Sequence, residues 1–341
     1  MDSALGPLRR TTLNRRVLAT RFAAIAASGT GSRLILQDID GSPERRALGA
    51  FIHGAPHDPV ALDGFADMIG RRPAIVSWFE AWGSSTAVTE DIVRIKLLDN
   101  ATERGAIPMI TWEPWDPAAG VDQPAYRLST IARGDFDAYI NSWAYRLAAY
   151  GGPVWLRFAH EMNAPWYPWG IAVNQNSAGD YLAAWHHVRE RFREAGATNV
   201  KWVWCVDATR SRVHPFFALY PGDDAVDWIA MDGYNWGTSM PNTAWRPLVE
   251  IFSEAYDQIS DLGMRPVMIA ELASAEQGGD KASWIREGFA TLPSRFPRIE
   301  VVCWFSEQQA VADWRVESSP QSLSAFVDVV NQSIWSVHPL N

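Results

Sequence analysis

The feature that most constrains this chain is an alternation repeated eight times: a short apolar run, then a longer stretch mixing apolar and polar residues. The runs are ALGAFIHG (47–54), AIVSWFEAW (74–82), IPMITWEPW (107–115), PVWLRFAHE (153–161), VKWVWCVD (200–207), VDWIAMDGY (226–234), RPVMIAE (265–271) and IEVVCWFSE (299–307). Runs of this length read as strands, and helix-length stretches between them are the mark of βα units around a parallel sheet. The pattern predicts helices over 89–103, 135–150, 178–195, 245–262, 281–292 and 321–334, with a short, irregular fifth connection around 214–220. Ser177 with Asp180 reads as a capping box, and Asp280 as an N-cap. Eight strands alternating with helices in one composition regime predict an α/β fold, a single (β/α)8 TIM barrel over residues 47–341. The competing doubly wound sheet carries a glycine-rich phosphate turn after its first strand. Here that turn reads HGAPHDP, which offers no cradle.

Residues 1–46 differ. Arg9, Arg10, Arg15, Arg16 and Arg21 precede or interrupt an Ala-rich stretch, and a Gly/Ser segment follows. This reads as an export signal, with Arg15-Arg16 in a twin-arginine-like setting, or as a disordered leader. The first reading places the protein outside the cytoplasm. No apolar run is long enough to span a membrane as a helix. A formal charge of −9 argues against a nucleic-acid partner, which calls for a basic face. Cys205 and Cys303 sit in apolar runs and read as buried thiols. The unusual count is 18 tryptophans, flat apolar surfaces that suit the faces of sugar rings. Carbohydrate is therefore the expected partner; oligomeric state is not legible.

Barrel sites are built at the C-terminal ends of the strands. Reading those ends gives Glu80, Glu113, Glu161, Asp207, Asp232, Glu271 and Glu307. Interleaved are Trp78, Trp82, Trp112, Trp115, Trp166, Trp169, Trp204, Trp236 and Trp304. Carboxyl groups crowded beside indoles are poorly hydrated and repel one another, which raises their pKa values toward those useful for acid–base chemistry. Strand alternation puts Arg157 and Glu161 on one side of the fourth strand, and His160 and Asn163 follow at once. It also puts Val267, Ile269 and Glu271 on one face of the seventh. Tyr234, ending the neighbouring sixth strand, could donate a hydrogen bond to Glu271. His53 and His57 could suggest a metal, but Pro56 breaks their spacing and no third ligand is near, so no metal is expected. No cofactor is expected either, because two carboxyl groups can supply nucleophile, acid and base.

The stretch RFAHEMNAPWYPWG (157–170) resembles the signature of glycoside hydrolase family 26, best known for β-mannanases. The resemblance extends to ITWEPW, DWIAMDGYNW, PVMIAELAS, GGDKASWI and VVCWFSE. It implies a (β/α)8 barrel that hydrolyses β-glycosidic bonds with retention. Glu161 would be the acid/base and Glu271 the nucleophile, about 5–5.5 Å apart as retaining enzymes require. Tyr234 would hold the nucleophile, and His160 would stand where related barrels carry Asn. Trp166, Trp169 and Trp304 would contact sugar. Arg157, Asn163, Asp232, Trp112 and Glu113 complete the expected binding or orienting set. Ala164, where Gly is common, is the one departure. The implied activity is endo-hydrolysis of β-1,4-mannan, with a β-1,3-1,4-glucan or other β-glucan as the alternative within the class. A non-catalytic carbohydrate-binding barrel is the alternative outside it, although pure binding has no need of two such carboxylates.

Overall fold

The computed structural model describes residues 46–84, 90–210 and 213–335. The leader reading of 1–46 lies outside them except at Arg46, whose N–H donates to the Ile334 carbonyl at 2.8 Å beside its bridge to Trp335. Eight parallel strands form a closed barrel in chain order. They are β1 (Ala47–Ile52), β2 (Ile75–Ala81), β3 (Ile107–Glu113), β4 (Val154–Phe158), β5 (Val200–Asp207), β6 (Trp228–Asn235), β7 (Val267–Ser274) and β8 (Ile299–Ser306). The helices are α1 (Pro59–Ile69), α2 (Glu90–Thr102), the short α3 (Leu128–Ala132), α4 (Asp137–Tyr150), α5 (Ala178–Glu194), α6 (Leu248–Ser260), α7 (Lys281–Arg295) and α8 (Pro320–Val330). The fifth connection is built from short 3₁₀ turns, as its irregular sequence predicts.

The capping signals act where the sequence puts them. Ser177 and Asp180 exchange bonds as a capping box at the start of α5, and the Asp280 carboxylate accepts from the Ser283 N–H at 3.0 Å on α7. The sequence reading missed α1. Its signals are Asp58 accepting from the Val60 N–H at 2.9 Å, Pro59 in the first turn, and the left-handed Gly70 after its end.

Two apolar layers follow from strand alternation. One fills the barrel itself, with Ile75, Met109, Trp155, Val203, Trp228, Met268 and both buried, free cysteines. Trp155 and Trp228 meet there at 4.7 Å between ring centres. A Cβ on Gly49 would lie 2.3 Å from the Cys303 sulfur, so only glycine lets β1 and β8 pack at that point. The second layer lies between strands and helices and holds most of the large aromatics, Trp112, Trp185, Trp204 and Trp304 among them. Filled from below, the barrel leaves its C-terminal mouth as the place for polar chemistry.

Candidate active site

Neither leading glutamate reaches the mouth by simple alternation. β4 ends at Phe158, three residues before Glu161, so the predicted strand was too long. Ala159 (φ 46°) and Glu161 (φ 51°) are both left-handed, a conformation that costs an L-residue about 1–2 kcal/mol. The Glu161 N–H donates to the Cys205 carbonyl at 2.9 Å, and this folds the segment over β5 and aims the carboxyl into the mouth. On β7, Val267 and Ile269 face the helices while Met268 and Ala270 face the barrel interior. Continued alternation would turn Glu271 outward. Instead β7 holds one extra residue against both neighbours: Ile269 and Glu271 pair with the consecutive Met231 and Asp232, and Ile269 and Leu272 flank a further shift against β8. This bulge re-aims Glu271 into the mouth.

The two carboxyl groups have unlike partners. Glu271 accepts from the Tyr234 hydroxyl and from Arg157 Nη2. Arg157 is wholly buried; its Nη1 donates to both Asp232 oxygens at 2.9 and 2.8 Å, and Nε and Nη2 donate to Thr111 Oγ1 at 3.0 and 2.7 Å. Glu161 accepts from the Trp166 indole at 2.6 Å, and the Arg210 guanidinium lies 5.2 Å from the Trp166 ring centre. Burial, and then the charges of Asp207, Asp232 and Glu271, push the Glu161 carboxyl well above its ordinary range, against the lowering effect of the indole bond. Glu113 is pushed up to about 7, chiefly by burial, and accepts from the Trp115 indole at 3.2 Å.

The remaining predicted residues brace the mouth. Asn163 exchanges 2.9 Å bonds with the Asp207 main chain, in both directions. Burial raises Asp207, whose carboxylate accepts from Thr209 at 2.6 Å. His160 is buried with Nδ1 lacking a partner, and burial plus the nearby Arg157 charge lower its pKa well below the usual value. It is therefore neutral near pH 7. Among the described residues, His160, Asp232 and Glu271 bring ligand-type atoms within 4.8 Å of one another, but Arg157 already bonds both carboxylates and supplies the positive charge. His53 pairs with Glu307 at 2.9 Å.

These groups open on a cleft of about 1040 Å³ lined by Glu113, Glu161, Asp207, Arg210, Tyr234 and Glu271 with Trp115, Trp166 and Trp236. Trp112, Trp169 and Trp304 do not line it, contrary to expectation. Trp112 and Trp304 are outward-facing strand residues packed against helices, and Trp169 is buried with its indole donating to the His160 carbonyl at 2.6 Å. Phe51, Phe79, Tyr167, Phe305 and Trp314 line the cleft and were missed. Alternation held the signal for Phe305: it shares a side of β8 with the inward Cys303, whereas Trp304 does not. It stacks on Phe51 at 4.5 Å.

Comparison with known proteins finds relatives of this chain. Endoglucanase H of Acetivibrio thermocellus is 36% identical over 287 residues, 83% of this chain, although the chain spans only 30% of that protein. A mannan endo-1,4-beta-mannosidase of Bacillus subtilis is 25% identical over 217 residues, 56% of this chain and 59% of the relative. Among solved structures, a modular endo-beta-1,4-mannanase of Cellulomonas fimi superposes with a TM-score of 0.66 at 16% identity, covering 86% of this chain and 72% of that one. That likeness shows the shared fold. The profile of Glycosyl hydrolase family 26 matches residues 92–267, and with strands, bulge and paired carboxyl groups in place, this chain is a member of that family.

Proposed function

We propose that this protein is a retaining endo-β-glycanase in which Glu271 is the nucleophile and Glu161 the acid/base. The carrying observation is that the two carboxyl groups share one cleft with opposite dressing: a guanidinium and a phenol on Glu271, an indole and neighbouring carboxylates around Glu161. Glu271 attacks the anomeric carbon as the bond to the glycosidic oxygen breaks, and the Glu161 proton goes to that oxygen. Forming the glycosyl ester removes the Glu271 charge, so one cause of the raised Glu161 pKa disappears. Glu161 then takes a proton from water, which attacks the same carbon and frees Glu271. Charge alone switches Glu161 from acid to base.

The cleft lies at the upper end of the about 300–1,000 Å³ of small-ligand pockets and has room for more than one sugar ring, which supports attack within a chain. Trp115, Trp166 and Trp236 offer flat faces for them. Identity over most of the chain to a protein named endoglucanase favours a β-glucan backbone. Because that name belongs to a much longer protein, the mannan expected from the sequence stands as the second reading, supported by relatives named mannan endo-1,4-beta-mannosidase. The arginine-bearing leader supports export as the route to a polymer outside the cell.

The test measures reducing-sugar release on mixed-linkage β-glucan, mannan and xylan, with proton NMR of the first anomer formed. Release from the glucan, with the β-anomer first, is expected. Release from mannan alone moves the assignment to the second reading. An α-anomer first overturns retention, and no release from any polymer returns the protein to a binding role.

A further inference from the structure

Lys281, in the GGDKASWI stretch, is only 1% exposed and stands at the first position of α7. Both facts count against a lysine: burial strips the ammonium of water, and the positive end of the helix dipole repels it. Burial pushes its pKa down to about 8, against the raising effects of Glu276, Asp313 and Glu317 and with a further lowering by Arg315. The group is therefore still an ammonium at pH 7, with three N–H donors. Each finds an acceptor: Nζ lies 3.3 Å from the Asp313 carbonyl, 2.7 Å from the Arg315 carbonyl and 2.8 Å from Ser318 Oγ.

The two carbonyls belong to the residues on either side of Trp314. Residues 307–319 join β8 to α8 with no helix or strand, apart from one bridge between Gln308 and Asp313. Trp314 is thus placed by a few individual bonds. Its N–H donates to the Glu307 carbonyl at 2.9 Å, and its carbonyl accepts from the Trp304 indole at 2.8 Å. The ammonium adds the bonds at positions 313 and 315, and it lies 5.7 Å from the Trp304 ring centre.

The anchored ring leads to the reaction centre. Trp314 lines the cleft and packs 5.1 Å from Tyr234, whose hydroxyl donates to Glu271. Phe305 and Trp236 also flank Tyr234, at 5.7 and 6.1 Å. Phe305 lies within β8 and Trp236 directly follows β6, so the sheet fixes both. Of the three, Trp314 is the nearest and alone comes from an irregular segment.

We propose that Lys281 is a positioning residue for the reaction: by holding the backbone on both sides of Trp314 it seats that ring against Tyr234, and so sets the phenol that binds the nucleophile. The inference rests on Glu271 being that nucleophile. An unanchored Trp314 would let the Tyr234 ring shift, and its hydroxyl would no longer hold Glu271 in line with the anomeric carbon.

The test traps the glycosyl-enzyme. The probes are a 2-deoxy-2-fluoro cellobioside and the corresponding mannobioside, each carrying dinitrophenolate as leaving group. Glu271 attacks the anomeric carbon, the bond from that carbon to the phenolic oxygen breaks, and dinitrophenolate departs with the electron pair, needing no proton from Glu161. The yield of dinitrophenolate counts folded, competent sites, and its rate of appearance reports the attack alone. A lysine that only stabilised the fold would change the yield and leave the rate per site untouched.

Lys281→Met should lower the rate per site about tenfold, the worth of a lost charge-assisted hydrogen bond. Tyr234→Phe keeps the ring and removes the hydroxyl that carries the effect to Glu271. In that background Lys281→Met should cost less than about twofold. An unchanged rate per site in Lys281→Met, or the same loss with and without the Tyr234 hydroxyl, overturns the positioning role. If Lys281→Met yields no competent sites, Ser318→Ala, which removes one acceptor from the ammonium, takes its place, with an expected loss of about threefold and the same dependence on Tyr234. Peptide mass spectrometry of the trapped parent should find the label on Glu271. A label elsewhere, or none from either probe, overturns the nucleophile reading and the inference with it.

Discussion

Glu161 and Glu271 face one cleft from walls built by different means. On the β4 side the strand stops early and two left-handed residues carry the carboxyl over β5. On the β7 side the strand continues, and an extra residue in its ladder turns the carboxyl inward. The surroundings differ as much as the backbones. Glu161 lies among carboxylates with one neutral donor, whereas Glu271 is held by a buried guanidinium that also binds Asp232. Two residues of one type meet different surroundings, because burial and neighbouring carboxylates act on Glu161 while a guanidinium and a phenol bind Glu271.

The largest expected effect separates the two walls by azide. Glu271→Ala should lower turnover by about 10⁴-fold or more, with azide yielding an α-glycosyl azide. Glu161→Ala should cost about 10²–10⁴-fold on ordinary substrates, spare dinitrophenyl glycosides, and give the β-azide instead. The same azide anomer from both variants would erase the distinction between the walls.

Next comes the neutralised wall itself. Arg157→Met leaves Asp232 and Glu271 buried without their cation and should destabilise the fold by about 3–5 kcal/mol, read from urea melts. A loss under about 1 kcal/mol would mean that the guanidinium does not hold this wall together.

Glu113 probes the acidic side through stability. Burial raises its folded pKa from the ordinary 4.5 to about 7, so the native state binds this proton more tightly than the unfolded chain. The associated stability is complete below about pH 4.5 and is lost as pH rises through about 7. At 1.36 kcal/mol per pH unit the loss approaches about 3 kcal/mol. Glu113→Gln should therefore be more stable than the parent above pH 7, by up to about 3 kcal/mol, with the difference gone in acid. Equal melts at pH 8 would contradict a strained Glu113.

The smallest effect concerns the single donor on Glu161. The Trp166 indole favours the ionised carboxylate, so Trp166→Phe should move the basic limb of kcat/KM upward, by no more than about one pH unit. A downward move would show that the indole bond does not set this titration.

Much of the barrel could be read in advance because βα alternation is a local signal: each apolar run and each capping residue reports on its own few neighbours. β5 matches its predicted limits at both ends, and the Ser177 and Asp280 caps form as read. The site was legible only as a set of residue types. Glu161, Glu271, Glu113, Trp166 and Tyr234 meet at the cleft, yet the assumption that tryptophans mark sugar platforms misplaced Trp112, Trp169 and Trp304. An indole fits an outer core as well as a sugar face, and only the inward or outward turn of its position separates the two uses.

Sequence alone determined the architecture, a set of carboxyl groups at the strand ends and the aromatic supply, because hydrophobic period and residue chemistry are written along the chain; singling out Glu161 and Glu271 among those carboxyl groups rested on the family resemblance. Tertiary structure decided which way those groups point and which charges surround them. A bulge in β7, the left-handed turn after β4 and the burial of Arg157 arise from contacts between strands distant in sequence, and the field at each carboxyl group is the sum of those contacts.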